Sequence, residues 1–239
     1  MRKKVILFIV EGITDRESLE LSLHTLLEKD NSVVFEVVQG DITANAGVKG
    51  NNIRRKLTDI INSGGRRKFL KQDYKEIVHL IDTDGAFVSE DYIMEDERYK
   101  EFHYTQEMIY NQSKERVWTR NQKKQASVNI LLSTKNVYGN VPYRMFYFSC
   151  NLEHVLHNEI SVRDRSKMEY AHRFQDKYAD DEQAFVDFIC ESEFSVKMDY
   201  YDSWDFIMQE NNSLKRYTNF NLFLEEILAE REEDALIGR

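Results

Sequence analysis

The stretch VILFIVEG, residues 5–12, decides the fold prediction for this chain. Val5–Val10 is an unbroken run of aliphatic and aromatic side chains, and Glu11 and Gly12 end it abruptly. A strand that is apolar on both faces is typical of a parallel strand in an α/β sheet, because helices cover both faces of such sheets. The run therefore predicts a central, doubly covered strand with an acidic residue at its carboxyl end.

Alternating strand and helix patterns follow this run. Ser32–Val38 and Glu76–Ile81 are apolar enough to be the second and third strands, and apolar residues recur at helical spacing before each of them. The first helix is expected to begin at Thr14, an N-cap with Glu17 three residues later as in a capping box. Such repetition predicts an α/β fold with a mainly parallel sheet and right-handed crossovers.

The rest of the chain is expected to add one strand and several helices. The pattern predicts an irregular acidic segment at 87–99, a mainly helical segment at 102–132 and a fourth strand at Tyr143–Ser149. Further helices are expected at about 152–158, 164–178, 180–191 and 219–234. Because no flexible linker separates these segments, we predict a catalytic domain at 1–160 with an acidic helical region at 161–239 packed on it.

Charge is unevenly distributed along the 239 residues. The formal net charge is −9, yet residues 51–75 carry eight basic side chains against two acidic ones, and a second basic stretch runs from Lys114 to Lys124. Lys and Arg supply most of the affinity for phosphate backbones, so these stretches contain the candidate nucleic-acid-binding residues. They are Arg54, Arg55, Arg66, Arg67, Lys123 and Lys124.

Neither the apolar runs nor the cysteines indicate a membrane or an oxidising compartment. The longest apolar run, Val5–Val10, is far shorter than the roughly 18–20 residues that span a bilayer. Cys150 and Cys190 lack zinc-site or disulfide-framework spacing, which predicts buried, reduced thiols. We therefore expect a cytoplasmic protein that does not contact a membrane.

Three acidic side chains follow predicted strands at one edge of the sheet. Glu11 follows the first strand, and Asp82 and Asp84 end the third. The carboxyl ends of parallel strands line the ligand crevice, and carboxylates gathered there favour a hard cation such as Mg²⁺ or Mn²⁺. In an extended Asp-x-Asp segment both side chains point to the same side, so they are expected to share or flank one ion. Asp15, one helical turn beyond Glu11, is expected to join them.

Each motif also has a purely structural interpretation. A Glu-Gly pair after a strand is typical of a turn, and Asp-Thr-Asp-Gly is typical of a loop start or a helix cap. Their joint occurrence after the first and third strands of one β–α–β–α–β pattern favours a metal site over two unrelated turns.

Two motifs at these positions resemble a known family. FIVEG at Phe8–Gly12 and LIDTD at Leu80–Asp84 are similar to the TOPRIM domain of topoisomerases, bacterial primases, small ribonucleases and OLD-family nucleases, a Rossmann-like fold. EGITDRESL at Glu11–Leu19 is most similar to OLD-type domains of phage-defence systems. FSCNLEHVLHN at Phe148–Asn158 is similar to a segment of RloB-like, abortive-infection TOPRIM proteins, although Asn151 stands where that segment usually has proline.

The resemblance covers about residues 1–160 and implies Mg²⁺- or Mn²⁺-dependent hydrolysis of DNA or RNA by a TOPRIM-type endonuclease. It implies that Asp82 and Asp84 hold the metal, which polarises a phosphoryl oxygen and orients the attacking water. Glu11 would act as a general acid or base, or as a further ligand.

The resemblance also implies several auxiliary roles. Asp15 and Glu153 would complete a second metal position, and Lys123 or Lys124 would offset charge in the transition state. The protein would be the toxic effector of an anti-phage or abortive-infection system, with nucleic acid as its substrate. The chain lacks the GxxxxGK[ST] motif of an ATPase, so a separate ATPase or a second copy is the expected partner.

Two other function classes are compatible with the same sequence. A TOPRIM-like fold can act as a non-cleaving scaffold in a nucleoprotein or defence complex, and the same metal cluster suits a small-molecule phosphohydrolase. Among the histidines, His79 is expected in the core. His154 and His157 are expected to be ordinary polar residues of a helix rather than metal ligands.

Overall fold

The computed structural model describes residues 3–38, 40–44, 52–63 and 69–237. Short 3₁₀ turns lie at Lys71–Asp73, Glu90–Tyr92 and Asn212–Leu214. In chain order the strands and helices are β1 (Lys4–Val10), α1 (Ile13–Leu27), β2 (Asn31–Val37), α2 (Ile53–Ser63), β3 (Tyr74–Asp82), β4 (Ile93–Glu95), β5 (His103–Tyr104), β6 (Ile109–Asn111), α3 (Lys114–Leu132), β7 (Asn136–Val137), β8 (Val141–Ser149), α4 (Leu152–His157), α5 (Asp164–Tyr178), α6 (Glu182–Cys190), α7 (Tyr200–Ile207), β9 (Tyr217–Thr218) and α8 (Phe220–Ile237).

The central sheet has the order β2-β1-β3-β8-β7, and β9 also pairs with β8. The four long strands β2, β1, β3 and β8 are mutually parallel, whereas the short β7 and β9 run antiparallel to β8. The predicted α/β class with a mainly parallel sheet is therefore confirmed. All four parallel strands direct their carboxyl ends to the same edge.

Side chains of each strand alternate between two hydrophobic cores. In β1, Ile6 and Phe8 enter the core formed with helices α1, α4, α5, α6 and α8, while Leu7 and Ile9 enter the core formed with α2, α3 and α7. The sheet is thus the middle of three layers, which explains why the strand sequences are apolar on both faces. The C-terminal helices belong to these same two layers.

A three-stranded sheet of order β4-β6-β5 lies between β3 and α3 in the chain. It corrects the expectation of a mainly helical segment at 102–132, because residues 103–111 contribute two of its strands. Helix α3 begins only at Lys114, where the Ser113 hydroxyl accepts a hydrogen bond from the Arg116 amide at 3.2 Å. Through Tyr104, the small sheet overhangs the carboxyl edge of the large one.

The start of α1 also differs from its prediction. Gly12, not Thr14, is the N-cap, and the Gly12 amide donates a hydrogen bond to Asp15 Oδ2 at 2.8 Å. Asp15 therefore accepts the capping hydrogen bond that the sequence pattern predicted for Glu17. This hydrogen bond fixes the Asp15 carboxylate at the start of α1, four residues after Glu11.

Most of the C-terminal helices lie where the sequence predicts them. The helices expected at 164–178, 180–191 and 219–234 correspond to α5, α6 and α8, whereas α7 was not anticipated. Cys150 and Cys190 are free and buried, as predicted. Among the described helices, none is long and apolar enough to cross a membrane.

His79 lies in the core, as predicted, and makes stability depend on pH. Its Nδ1 is 2.8 Å from the Tyr143 hydroxyl, and burial lowers the pKa of His79 to about 3. An unfolded histidine titrates near 6.5, so between these values the unfolded chain binds the extra proton and stability falls as pH falls.

We therefore expect wild type to lose about 1.4 kcal/mol more per pH unit than His79→Gln between pH 6 and pH 4. Urea unfolding at several pH values measures this difference. His172→Gln, at an exposed position, is the control and should follow wild type. Parallel curves for wild type and His79→Gln would contradict the assignment.

Candidate metal centre

Acidic side chains gather at the carboxyl edge of the parallel sheet. Glu11 follows β1, Asp82 is the last residue of β3, and Asp84 lies two residues beyond it. Glu153, in the first turn of α4, lies beyond the end of β8. Asp41, which follows β2, joins them, although it was not among the predicted site residues. Its position shortly after a predicted strand could have identified Asp41 as a site residue from the sequence.

Lys124 is the counter-ion of one group of these carboxylates. Its side chain is fully buried, and its Nζ lies 2.6 Å from Asp84 Oδ2 and 2.9 Å from Asp41 Oδ2. Glu11 Oε1 is more distant, at 3.9 Å. Although burial alone would lower the pKa of Lys124, Asp41, Asp84 and Glu11 raise it well above its ordinary value. The ammonium group is therefore charged at any physiological pH.

Lys167 is the counter-ion of a second group of carboxylates. Its Nζ lies 3.4 Å from Glu153 Oε1, and it interacts electrostatically with Asp82 and Asp15. Asp82 Oδ1 accepts a hydrogen bond from the Leu152 amide at 2.9 Å, which ties β3 to the start of α4. Nothing in the sequence pattern of α5 pointed to Lys167.

The turn after β3 separates the two aspartates. Asp84 has φ of 52° and Gly85 has φ of 63°, so the segment is not extended as predicted. Asp84 faces Lys124, whereas Asp82 faces Asp15 and Glu153. Glycine is favoured at this bend, because φ is positive and a Cβ there would lie 2.4 Å from Leu214 Cδ2, which would have to move.

Arg120 and Tyr104 form one wall of the site. Arg120 Nη2 donates to the Asp84 carbonyl at 3.0 Å, and its Nη1 donates to the Tyr104 hydroxyl at 3.1 Å. The Tyr104 hydroxyl is in turn 3.5 Å from Asp84 Oδ1. Because Tyr104 belongs to β5, the small sheet forms part of the wall.

The site holds more negative charge than its cations balance. Among the described residues, six carboxylates face three cationic groups. The carboxylates are those of Glu11, Asp15, Asp41, Asp82, Asp84 and Glu153, and the cations are Arg120, Lys124 and Lys167. The carboxyl pKa values reflect this imbalance, since buried carboxylates that repel one another hold their protons more tightly.

Three carboxyl groups of the site have raised pKa values and one has a lowered value. Burial, followed by the charge of Asp41, raises the pKa of Glu11 well above its ordinary value. Burial, followed by the charges of Asp15 and Asp84, does the same for the pKa of Asp82. Burial is also the main reason why the pKa of Asp15 rises to about 6. For Asp41, burial opposes ionisation, but Lys124 and the Thr43 hydrogen bond bring its pKa to about 2.

A cavity of about 310 Å³ opens beside the second group. Its lining includes Asp82, Asp84, His103, Tyr104, Glu153 and Lys167. The cavity therefore gives a small ligand or one phosphodiester group access to both aspartates.

The carboxylate oxygens of this site suit a hard cation, although Lys124 and Lys167 already form ion pairs with several of them. Within the described parts of the chain, no three His, Cys, Asp or Glu side chains are already arranged to hold one metal ion. Glu11 Oε1, however, is buried without a hydrogen-bond partner. A carboxylate oxygen that lacks a hydrogen bond, in a site with more carboxylates than cations, fits Mg²⁺ or Mn²⁺, which prefer oxygen ligands.

The predicted nucleic-acid-binding residues separate into different places. Lys123 is exposed on α3, but Lys124 is fully buried inside the carboxylate site rather than on the surface. Arg54 donates to Thr134 Oγ1 at 2.8 Å, joining α2 to the end of α3, and Arg55 is exposed on α2. Arg66 and Arg67 lie outside the described residues.

The two histidines of α4 contact neighbouring parts of the fold. His154 Nδ1 accepts a hydrogen bond from the Cys150 amide at 3.2 Å. His157 makes edge contacts with the rings of Tyr170 and Phe174.

No family model matches the chain, and no curated protein or solved structure is significantly similar to it. The likeness to TOPRIM domains is therefore a likeness of motifs, carried by Phe8–Gly12 and Leu80–Asp84. Function must accordingly be inferred from the geometry of the carboxylates and their neighbours.

Proposed function

We propose that this chain is a divalent-metal-dependent nuclease that hydrolyses phosphodiester bonds in DNA or RNA. The observation that carries the proposal is the surplus of buried and half-buried carboxylates at the carboxyl edge of the parallel sheet, with one Glu11 oxygen that has no hydrogen-bond partner. Buried charges of one sign cost free energy and persist mainly where function uses them.

Each acidic residue of the site would have its own role. Asp82 and Asp84 would hold Mg²⁺ or Mn²⁺, which supplies Lewis-acid stabilisation of a phosphoryl oxygen and lowers the pKa of bound water. Glu11, whose pKa is raised mainly by burial, would act as the general acid or base toward the attacking water or the leaving oxygen. Asp15 and Glu153 are available for a second metal position. Lys124 supplies permanent positive charge next to Asp84.

A basic and aromatic surface beside the cavity favours a polymer over a small substrate. Arg116 and Arg120 lie over the Phe102 ring, at 4.9 and 4.6 Å from its centroid, and with Lys123 they line an adjoining groove. Tyr99, between β4 and β5, stacks on His103 with ring centroids 4.5 Å apart, and His103 also lines the cavity. Cationic and aromatic side chains of this kind bind phosphates and unstacked bases.

The direct test is cleavage of supercoiled plasmid, single-stranded DNA and RNA. We expect product with Mg²⁺ or Mn²⁺ and none with EDTA, because the metal provides the main stabilisation of the transition state. Gel electrophoresis measures the products. No cleavage of any polymer with either metal would refute the nuclease.

One observation favours a second candidate, a non-cleaving module that binds nucleic acid or a protein partner. Lys124 already forms ion pairs with Asp41 and Asp84 without any metal. A scaffold would bind single-stranded oligonucleotides equally well in EDTA and in Mg²⁺ and would cleave none. A role as the effector of an anti-phage system, with an ATPase or a second copy as partner, is implied by the motif resemblance alone.

A further inference from the structure

A second cavity lies at the end of α4. Its volume is about 530 Å³, within the range of small-molecule sites. The wall comes from the end of α4, the end of α6 and the residues around β9. It includes Asn158, Phe188, Ser192, Lys215, Arg216 and Tyr217.

Two adjacent cations in this wall have no acidic partner among the described residues. Arg216 is half-buried, and its Nε and Nη2 donate to the Val155 carbonyl of α4 at 3.0 and 2.6 Å. Lys215 Nζ lies 3.5 Å from Asn212 Oδ1. In the described parts of the chain, no carboxylate lies within ion-pairing distance of either side chain. The acidic residue in the lining, Glu193, is exposed.

Further positive charges lie near one end of this wall. Burial, followed by the charges of Arg173, Arg216 and Lys177, lowers the pKa of His157 to about 4. A positive patch in a chain of net charge −9 is suited to an anion.

We propose that this cavity binds a nucleotide, with its phosphate on Lys215 and Arg216. A guanidinium and an ammonium side by side are the usual cationic partners of phosphate. The Asn158 side chain adds amide hydrogen bonds, and the Phe188 and Tyr217 rings provide an aromatic wall for the base. The cavity is large enough for both parts of such a ligand.

The site is connected to the carboxylates through α4. Arg216 holds the Val155 carbonyl, and Glu153 lies two residues earlier in the same short helix. Arg216 therefore links the proposed phosphate position to the helix that carries Glu153. The binding itself does not depend on the proposed nuclease activity.

The test is equilibrium binding of AMP, ATP and inorganic phosphate to the full chain, measured calorimetrically in EDTA so that no turnover occurs. We expect AMP and ATP to bind, and Lys215→Gln and Arg216→Gln each to weaken binding by about tenfold or more, as loss of a charged hydrogen bond does. Lys215→Gln removes almost no internal contact, so it tests the site even if Arg216→Gln disturbs the fold.

Lys75→Gln is the control, since Lys75 lies at the opposite end of the sheet and pairs with Glu230 at 2.5 Å. It should bind like wild type. Absence of nucleotide binding at millimolar concentration, or equal affinity in all variants, would overturn the site. Inorganic phosphate binding as tightly as AMP would overturn the nucleotide assignment. None of these outcomes bears on whether the protein cleaves DNA or RNA.

Discussion

Glu11→Gln and Asp82→Asn are expected to lower the rate of metal-dependent cleavage by about a hundredfold or more while the protein stays folded. Each change replaces a charged oxygen by an amide of the same shape. Asp82→Asn keeps the Oδ1 that accepts the Leu152 hydrogen bond. The loss should therefore appear in the cleavage rate and not in the far-ultraviolet circular dichroism spectrum.

The Asp82→Asn substitution should also raise stability in the absence of metal. Burial and the charges of Asp15 and Asp84 raise the pKa of Asp82, so at neutral pH its ionised form destabilises the folded state. A neutral Asn removes that repulsion, and we expect the midpoint of thermal unfolding in EDTA to rise by a few degrees. Added Mg²⁺ should then stabilise wild type more than Asp82→Asn, because the variant has lost a ligand.

Asp205→Asn is the matched control, at an exposed position of α7. It should change neither the cleavage rate nor the unfolding midpoint. Full cleavage by Glu11→Gln and Asp82→Asn would place the chemistry elsewhere. A lower unfolding midpoint for Asp82→Asn in EDTA would show that the aspartate is structural.

Lys124→Met is expected to destabilise the protein by about 3–5 kcal/mol, the usual cost of leaving a buried charge without its partner. The methionine retains most of the apolar stem but removes the ammonium between Asp84 and Asp41. Urea unfolding in EDTA measures the loss. A divalent cation should restore part of it, because the vacated space lies among three carboxylates.

Lys123→Met is the control for this experiment, because the neighbouring side chain is exposed on the same helix. Its unfolding free energy should change by no more than about 0.5 kcal/mol, as for most surface substitutions. A similarly small change in Lys124→Met would mean that water or protonation of a carboxyl group replaces the ammonium at little cost.

The acidic positions could be predicted because strand order determines them. Continuous apolar runs identified β1 and β3, and parallel strands bring the residues after them to one edge. The same reasoning applied to β2 would have found Asp41. The relative orientation of Asp82 and Asp84 was not predictable, since it depends on left-handed backbone at Asp84.

The role of Lys124 could not be predicted from its charge. It stands in a basic stretch with Lys123, and the sequence does not say which side of the helix faces the sheet. Spacing offered a partial signal, because Arg120 and Lys124 are four residues apart and therefore share a face. The small sheet was missed for another reason: strands of two or three residues are too short to show a period.

The contact of Phe8 with the last helix has a consequence for how the protein is made. Phe8 packs against Phe220 and Phe223, with ring centroids 6.4 and 5.6 Å apart. A ribosome releases the first strand long before it reaches residue 220, and contacts of such long sequence separation slow folding. Until then the aromatic side chain of β1 is not covered by α8, so chaperones can bind it or it can promote aggregation. Nascent chains that stall before this helix are thus expected to be degraded rather than to accumulate as folded protein.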